Sequence, residues 1–347
     1  MSFQSDAKKY ITFTVPCYNS EEYMERCLET LVKGGGFVEI IIVNDGSTDR
    51  TAEIADQYAR NYPEIVRVIH QDNGGHGAGV NAGLNAAAGK YFKVVDSDDW
   101  LEESSLHKLL EQLRHFEQQD RLVDLIICNY LYDHLNEKKT KRMGFENVFP
   151  ENEICGWEDI RYFTPSQYLI MHSLVYRTEV LRESGIRLPI HTFYVDNLFA
   201  NQPLPFVKTL CYLNLDLYHY FLGREDQSVN EDVLKKRIDQ QIRVTKLLAT
   251  ATDLDALALT QPKLARYLTR NISIMMTISS IHLLLIGTPE AKQKREVLWN
   301  YIRTQNQRLY YNLKYKSLSG FTKLPGKPGD VLTLLGYRAA RRIYMFN

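Results

Sequence analysis

Residues 90–100 read K-Y-F-K-V-V-D-S-D-D-W, an apolar run rich in β-branched and aromatic side chains that stops at three carboxylates within four residues. A run of this kind forms a central strand buried on both faces of an α/β sheet. Its carboxylates then lie at the C-terminal end of the strand, the edge where open α/β sheets bind ligands. Asp96, Asp98 and Asp99 repel one another at this spacing, a cost that a cation removes. A hard divalent ion with oxygen ligands meets that need and binds phosphates in turn. The alternative is a polar turn that ends the strand, with Asp99 capping the next helix.

The flanking chain supplies the rest of such a sheet. Strands are expected at 11–15, 38–43, 65–69, 91–95 and 122–128, and helices alternate with them. Ser20 is placed to cap the first helix, which the glycines at 34–36 stop, and Thr48 or Asp49 to cap the second. A third helix follows the glycine-rich loop from about residue 78, and a fourth covers 102–118. Alternation with short links implies a mostly parallel, doubly wound sheet with right-handed crossovers. Beyond 129 the period weakens. A hairpin, a strand near 173–176, a short helix to about Ser184 and two short strands within 206–221 are expected. The cluster N-E-K-K-T-K-R at 136–142 reads as a solvated turn. From Glu231 onward the pattern is helical, with a break at Pro289 and a loop at 319–330. Domains are therefore expected at 1–228, α/β, and 229–347, mainly helical.

With 347 residues the chain can bury a large core. Lys plus Arg and Asp plus Glu are equal at 42 each, so no global charge points to nucleic acid. Five cysteines, at 17, 27, 128, 155 and 211, include no C-x-x-C pair. They read as reduced thiols of a cytoplasmic protein, not as a disulfide framework or zinc site. The polar first ten residues carry no secretory signal. The most apolar stretch, 272–286, is interrupted by Ser, Thr and His and reads as a buried helix. Charge is uneven along the chain: residues 301–347 hold nine basic residues against one acid, Asp330. That asymmetry suggests an anionic surface or partner. Residues 331–347 form a short basic, apolar segment. It is suited either to the anionic inner face of a membrane or to packing on protein, including a homo-oligomer contact.

Four pieces fall in order: V-P-C-Y-N-S after strand one, V-N-D-G-S-T-D after strand two, D-N-G-G-H-G before helix three, and V-D-S-D-D-W after strand four. In this order they resemble the family 2 glycosyltransferases, over residues 10–228. The resemblance implies the GT-A fold, a Rossmann-like α/β sheet flanked by helices. It also implies inverting transfer of a sugar from a nucleotide-sugar donor, most simply a UDP-sugar. The acceptor would be a glycan, lipid-linked or protein hydroxyl in cell-surface polysaccharide or glycoprotein glycan synthesis. Asp45 then hydrogen-bonds the base, and Pro16, Tyr18 and Asn19 line the same pocket, with Tyr18 as a core residue the alternative. Gly74, Gly75 and His76 approach the donor, although Val80 stands where the family carries Arg. Asp96-Ser97-Asp98 matches the family's D-x-D: Asp98 binds Mn²⁺ or Mg²⁺, and Asp96 contacts the ribose or shares the metal. Asp196, in Y-V-D-N-L-F, takes the acceptor proton, and it also suits a helix cap. His219, Arg224 and Ser228 fall where the family closes over the diphosphate, and Glu225 and Asp226 are the next acids should Asp196 not serve.

Other readings use the same residues. Gly77-x-Gly79-x-x-Ala82 formally matches a dinucleotide fingerprint, but seven residues separate it from strand three, where an immediate turn is needed. A nucleotidyltransferase uses similar carboxylates, yet no glycine–arginine–lysine loop occurs near 15–30. A non-catalytic subunit that keeps the fold and supports another transferase is the third alternative. It would be expected to lose the metal or base carboxylates, which this chain retains.

Overall fold

In a computed structural model, which describes residues 8–134, 140–222 and 231–344, the chain divides into two compact units, Met1–Gly223 and Arg224–Asn347. The boundary expected at 228 lies outside the described residues.

The first unit is built on one sheet. Its strands are β1 Ile11–Cys17, β2 Val38–Asp45, β3 Val66–Gln71, β4 Tyr91–Val94, β5 Trp100–Leu101, β6 Leu125–His134, β7 Lys141–Met143, β8 Ile154–Cys155, β9 Leu174–Arg177 and β10 Leu210–Leu222. Its helices are α1 Met24–Leu31, α2 Thr51–Asn61, α3 His76–Ala86, α4 Glu103–Gln118, α5 Thr178–Glu183 and α6 Asp196–Asn201. The main path runs β3-β2-β1-β4-β9-β6-β10-β5. β3, β2, β1 and β4 are parallel, as the alternation predicts. β9 then enters antiparallel between β4 and β6, and β10 returns parallel to β6. Every residue of β1, β2 and β4 is buried, which is why these strands are apolar without alternation.

Three local expectations are corrected. Residues 206–221 do not make two strands: β10 is one strand of 13 residues whose register against β6 shifts twice, around Asp216. Asn129 stitches the irregularity, its amide donating to Asn214 at 2.9 Å and to Asp216 at 2.8 Å. The polar Asn-x-Asp sequence that reads as a break is thus a β-bulge paired across the sheet. α1 begins at Met24 with Tyr23 at the cap position, so Ser20 is not its cap. The second helix has Arg50 at its cap position, so neither Thr48 nor Asp49 is its cap, although Asp49 Oδ1 accepts from the Thr51 N–H at 3.0 Å.

α3 lies tight against β1. A side chain at Gly83 would bring its first carbon to 2.2 Å from Thr14, so only glycine lets helix and strand approach this closely. That approach sets α3's N-terminus beside the ends of β1 and β4.

The second unit is helical: α7 Glu231–Lys236, α8 Ile238–Thr250, α9 Leu254–Thr260, α10 Pro262–Ile286, α11 Pro289–Gln305, α12 Gln307–Tyr315 and α13 Gly326–Tyr344. Asp253, Thr288 and Asn306 accept from first-turn N–H groups of α9, α11 and α12, and Pro289 opens α11 where its missing N–H costs nothing. α10, apolar and 25 residues long, satisfies the length and composition of a membrane span, but α8, α9, α11 and α13 pack around it. It is the core helix that the Ser, Thr and His interruptions suggested. The loop expected at 319–330 is largely ordered, with a 3₁₀ turn at Leu318–Lys323 and α13 starting at Gly326.

Candidate active site

The ends of β1, β2, β3 and β4 meet, and side-chain bonds tie their loops together. Pro16, near the end of β1, is buried, whereas Tyr18, just past the strand, is 54% exposed and so is not a core residue. Asn19 adopts a left-handed conformation (φ 48°); its N–H donates to Ser47 Oγ at 3.0 Å and its Oδ1 accepts from the Thr48 N–H at 2.9 Å. Ser20, freed from capping, holds Ser97 of the β4 loop at 2.8 Å.

Asp45 ends β2 almost fully buried. Its Oδ1 accepts from Gln71 Nε2 at 2.7 Å and the Gly74 N–H at 2.9 Å, and its Oδ2 from the Gly75 N–H at 2.7 Å. A carboxylate offers about four lone-pair sites, so three are spent, two on the glycine loop and one on Gln71 at the end of β3. Gly75 has φ 81°, a left-handed conformation that a side chain would strain, and a Cβ there would lie 3.4 Å from the His191 backbone. The carbonyl of Gly74 accepts from the His191 N–H at 2.6 Å. Asn81 of α3 adds a two-way clamp on Leu188, Nδ2 donating to its carbonyl at 2.8 Å and Oδ1 accepting from its N–H at 3.0 Å. These bonds lay residues 188–194 across the glycine loop and lead the chain to Asp196. Asp196 is the first residue of α6, with Val195 at the cap position.

The charges gathered here act on one another. His76 Nε2 lies 2.8 Å from Asp96 Oδ1. Burial opposes charge on the imidazole, but Asp96 outweighs it and, with Asp196 and Asp98, raises His76 above its ordinary pKa. Burial likewise works to raise Asp96, and His76, His172 and Lys93 override it, holding that carboxyl below its usual range. Asp196 goes the other way. Burial pushes it up, His76 offsets part of this, and Asp96 adds to it. Asp98 is half-buried in the same loop.

Asp99 does not cap α4; Glu102 stands at that position. Its Oδ2 accepts from the Tyr218 O–H at 2.5 Å and its Oδ1 from the Phe221 N–H at 2.8 Å, so it anchors β10 to the β4 loop. Burial, then Asp98 and Asp96, push its pKa well up.

Two further residues were not singled out from the sequence. Lys93 of β4 is wholly buried beneath the carboxylates. Its ammonium donates to the carbonyl of His172 at 2.6 Å, and burial pushes its pKa down to about 8. The lysine inside an otherwise apolar strand was the available signal. His172 stacks on Tyr218 and meets Tyr220 at a tilt, with ring centroids at 4.6 and 4.3 Å. Nothing in the M-H-S sequence marks it. Its Nδ1 is buried without a hydrogen-bond partner, 4.0 Å from Asp99 Oδ2, and burial lowers its pKa to about 4, leaving it a neutral donor. Asp96, Asp99 and His172 offer donor atoms within 4.8 Å of one another. The carboxylate oxygens suit Mn²⁺ or Mg²⁺, and the imidazole nitrogen favours Mn²⁺ of the two, so the residues fit a divalent ion of the kind that the D-x-D implies. Of the expected pair the cluster holds Asp96, to which the fold adds Asp99 and His172; Asp98 is not in it.

His219 lies on the other face of β10 from Tyr218. It stacks on Trp100 at 5.0 Å, and its Nδ1 bonds Asp133 at 2.6 Å. Arg224, Glu225, Asp226 and Ser228 are outside the described residues. Gly77 and Gly79 fall inside the first turn of α3, five residues past β3, which removes the strand-to-helix turn a dinucleotide fingerprint requires.

The family model for glycosyl transferase family 2 matches residues 12–182. The uncharacterized glycosyltransferase EpsJ of Bacillus subtilis (strain 168) is 37% identical over 244 residues, 67% of this chain and 66% of that protein. Glycosyltransferase GlyA of Streptococcus pneumoniae serotype 4 is 27% identical over 220 residues, 60% of this chain and 30% of its own length. The matches thus span less than two-thirds of these relatives. The crystal structure of S. aureus TarS 1–349 in complex with UDP-GlcNAc aligns with a TM-score of 0.66 at 19% identity, covering 96% of this chain and 91% of that one. The chain belongs to the family 2 glycosyltransferases, and its α/β sheet with a helical region following is the GT-A architecture expected from the sequence.

Proposed function

We propose that the protein transfers a sugar from a UDP-sugar to an acceptor hydroxyl with inversion at the anomeric carbon, in cell-surface polysaccharide or glycan synthesis at the cytoplasmic side of the membrane. The observation that carries this reading is the position of Asp196. It is a carboxylate of raised pKa within electrostatic reach of the His76–Asp96 pair, on a segment bonded across the glycine loop. A base needs a proton affinity nearer the working pH than that of an exposed aspartate, and burial provides it.

In this reading Tyr18 and Asn19 hold the base and ribose, the remaining acceptor site of Asp45 takes a ring N–H, and the Gly74–Gly75 backbone lets the diphosphate approach. Ser97 keeps the β4 loop against the β1 loop through Ser20. Asp96 and Asp98, with His172 and Asp99 behind them, would hold Mn²⁺ or Mg²⁺, which offsets charge growing on the leaving group. The acceptor O–H gives its proton to Asp196, its oxygen bonds to the anomeric carbon, and the bond from that carbon to the diphosphate breaks, the electron pair leaving with the diphosphate. Attack and departure on opposite faces invert the centre.

Titration calorimetry with UDP, GDP, TDP and NAD, with and without Mn²⁺, tests the donor. UDP binding that requires the metal is expected, with UDP-GlcNAc the first sugar to try because the structural relative was solved with it. Metal-independent binding of NAD alone would overturn the reading. Tight donor binding without turnover on any acceptor would favour a non-catalytic subunit.

A further inference from the structure

The basic end of the chain carries a face that its own unit leaves open. In α13 one side turns inward. Asp330 pairs with Arg295 at 2.8 Å, Thr333 Oγ1 donates to the carbonyl of Phe321 at 2.8 Å, and the Tyr337 O–H donates to Glu231 at 3.0 Å. Helical spacing sends the other side outward. There Val331, Leu332 and Leu335 are each more than half exposed, and Arg338 follows them. The 3₁₀ turn against which α13 packs adds exposed Leu318 and Phe321. Large apolar side chains recurring on one outward face mark a contact surface.

The charge around this face narrows what covers it. Asp330, the one acid in residues 301–347, pairs inward with Arg295; of the nine basic residues there, Arg308, Lys323 and Arg341 pair with Asp255, Glu296 and Glu231, while Arg303, Lys316, Lys327 and Arg338 are exposed. A second copy of the chain would set one basic face against another, which repels. Nucleic acid meets the charge but offers no apolar surface for leucines. A bilayer with anionic headgroups satisfies both requirements, and a helix with this pattern lies in its interface. We infer that the α13 face seats on an anionic lipid surface, with Leu332 and Leu335 entering the headgroup–acyl boundary. This inference stands apart from the transferase reading, since it uses neither its residues nor its chemistry.

Sedimentation of the full chain with vesicles of phosphatidylcholine containing phosphatidylglycerol, against phosphatidylcholine alone, tests it. Binding to the anionic vesicles only, weakened by salt, is expected. Arg338→Glu should lower the partition about fivefold or more, the equivalent of ~1 kcal/mol per basic residue. Leu332→Glu with Leu335→Glu should lower it about tenfold or more per side chain. Because these side chains are exposed, the variants should melt as the wild type does, and UDP calorimetry should not change. Equal binding to both vesicle types, no binding, or binding unaffected by the substitutions overturns the inference. So does a dimer in sedimentation velocity that the leucine variant dissociates, because the face would then belong to a second copy.

Discussion

Substitution separates the carboxylates around β4. Asp98→Asn should abolish metal-dependent UDP binding in calorimetry, because an amide cannot replace a charged oxygen ligand. Asp196→Asn should leave that binding nearly intact and lower kcat by ~10²–10⁴. If Asp196 is the base, burial raising its pKa means that activity should fall as pH drops through a value above that of an ordinary aspartate, and the asparagine variant should lack that acid limb. Normal turnover of Asp196→Asn would move the base to another group. Lys93 gives a stability test. Its folded pKa, pushed down to about 8, lies below its unfolded value, so the unfolded chain binds more protons between the two and stability rises with pH across that window. Lys93→Met loses this gain and leaves the carbonyls of His172 and Leu174 without their donor, at a cost of about 1–3 kcal/mol. Urea unfolding at about pH 7 and about pH 10 should show the wild type gaining on the variant at the higher pH.

The packing of α3 is as consequential as its residues. The helix meets β1 through Gly83, clamps the 188–194 segment through Asn81, and presents His76 to Asp96. Gly83→Ala forces Thr14 or the helix to move and should cost about 1–3 kcal/mol in denaturant unfolding. Asn81→Ala removes both bonds to Leu188 while touching no acidic residue of the site. A catalytic group displaced by ~1 Å can cost ~10²-fold, so kcat should fall more than UDP affinity does. Unchanged kcat would mean that Asp196 is held by α6 alone.

Each unit has its own buried core, β1, β2 and β4 in the first and the surroundings of α10 in the second. Trp299 of α11 is fully buried in the second, its indole N–H donating to Ser280 at 3.3 Å. Trp299→Ala should cost about 3–5 kcal/mol. If the cores unfold separately, calorimetry of the full chain will show one transition lowered and the other kept; a single transition moving as a whole would show them coupled. The five cysteines are all buried and unpaired, so a reducing agent should leave the melting unchanged.

Much of this was legible in one dimension because the information is local. Apolar runs buried on both faces identify β1, β2 and β4, and the polar residues that end them mark the edge where the loops meet. What sequence could not reveal is set by contacts between distant segments. Asp45 reads as a ligand contact, yet the partners of its carboxylate are Gln71, Gly74 and Gly75, about 26–30 residues on. Asp99 reads as a helix cap but bonds Tyr218 and Phe221 across the sheet, because β10 keeps one course through a bulge that looks like a strand end. His172 has no local signature at all; antiparallel β9, inserted between β4 and β6, brings it under the carboxylates. Periodicity reports which face of an element is buried, whereas the partner met at that face depends on strand order, and strand order is a property of the packed sheet.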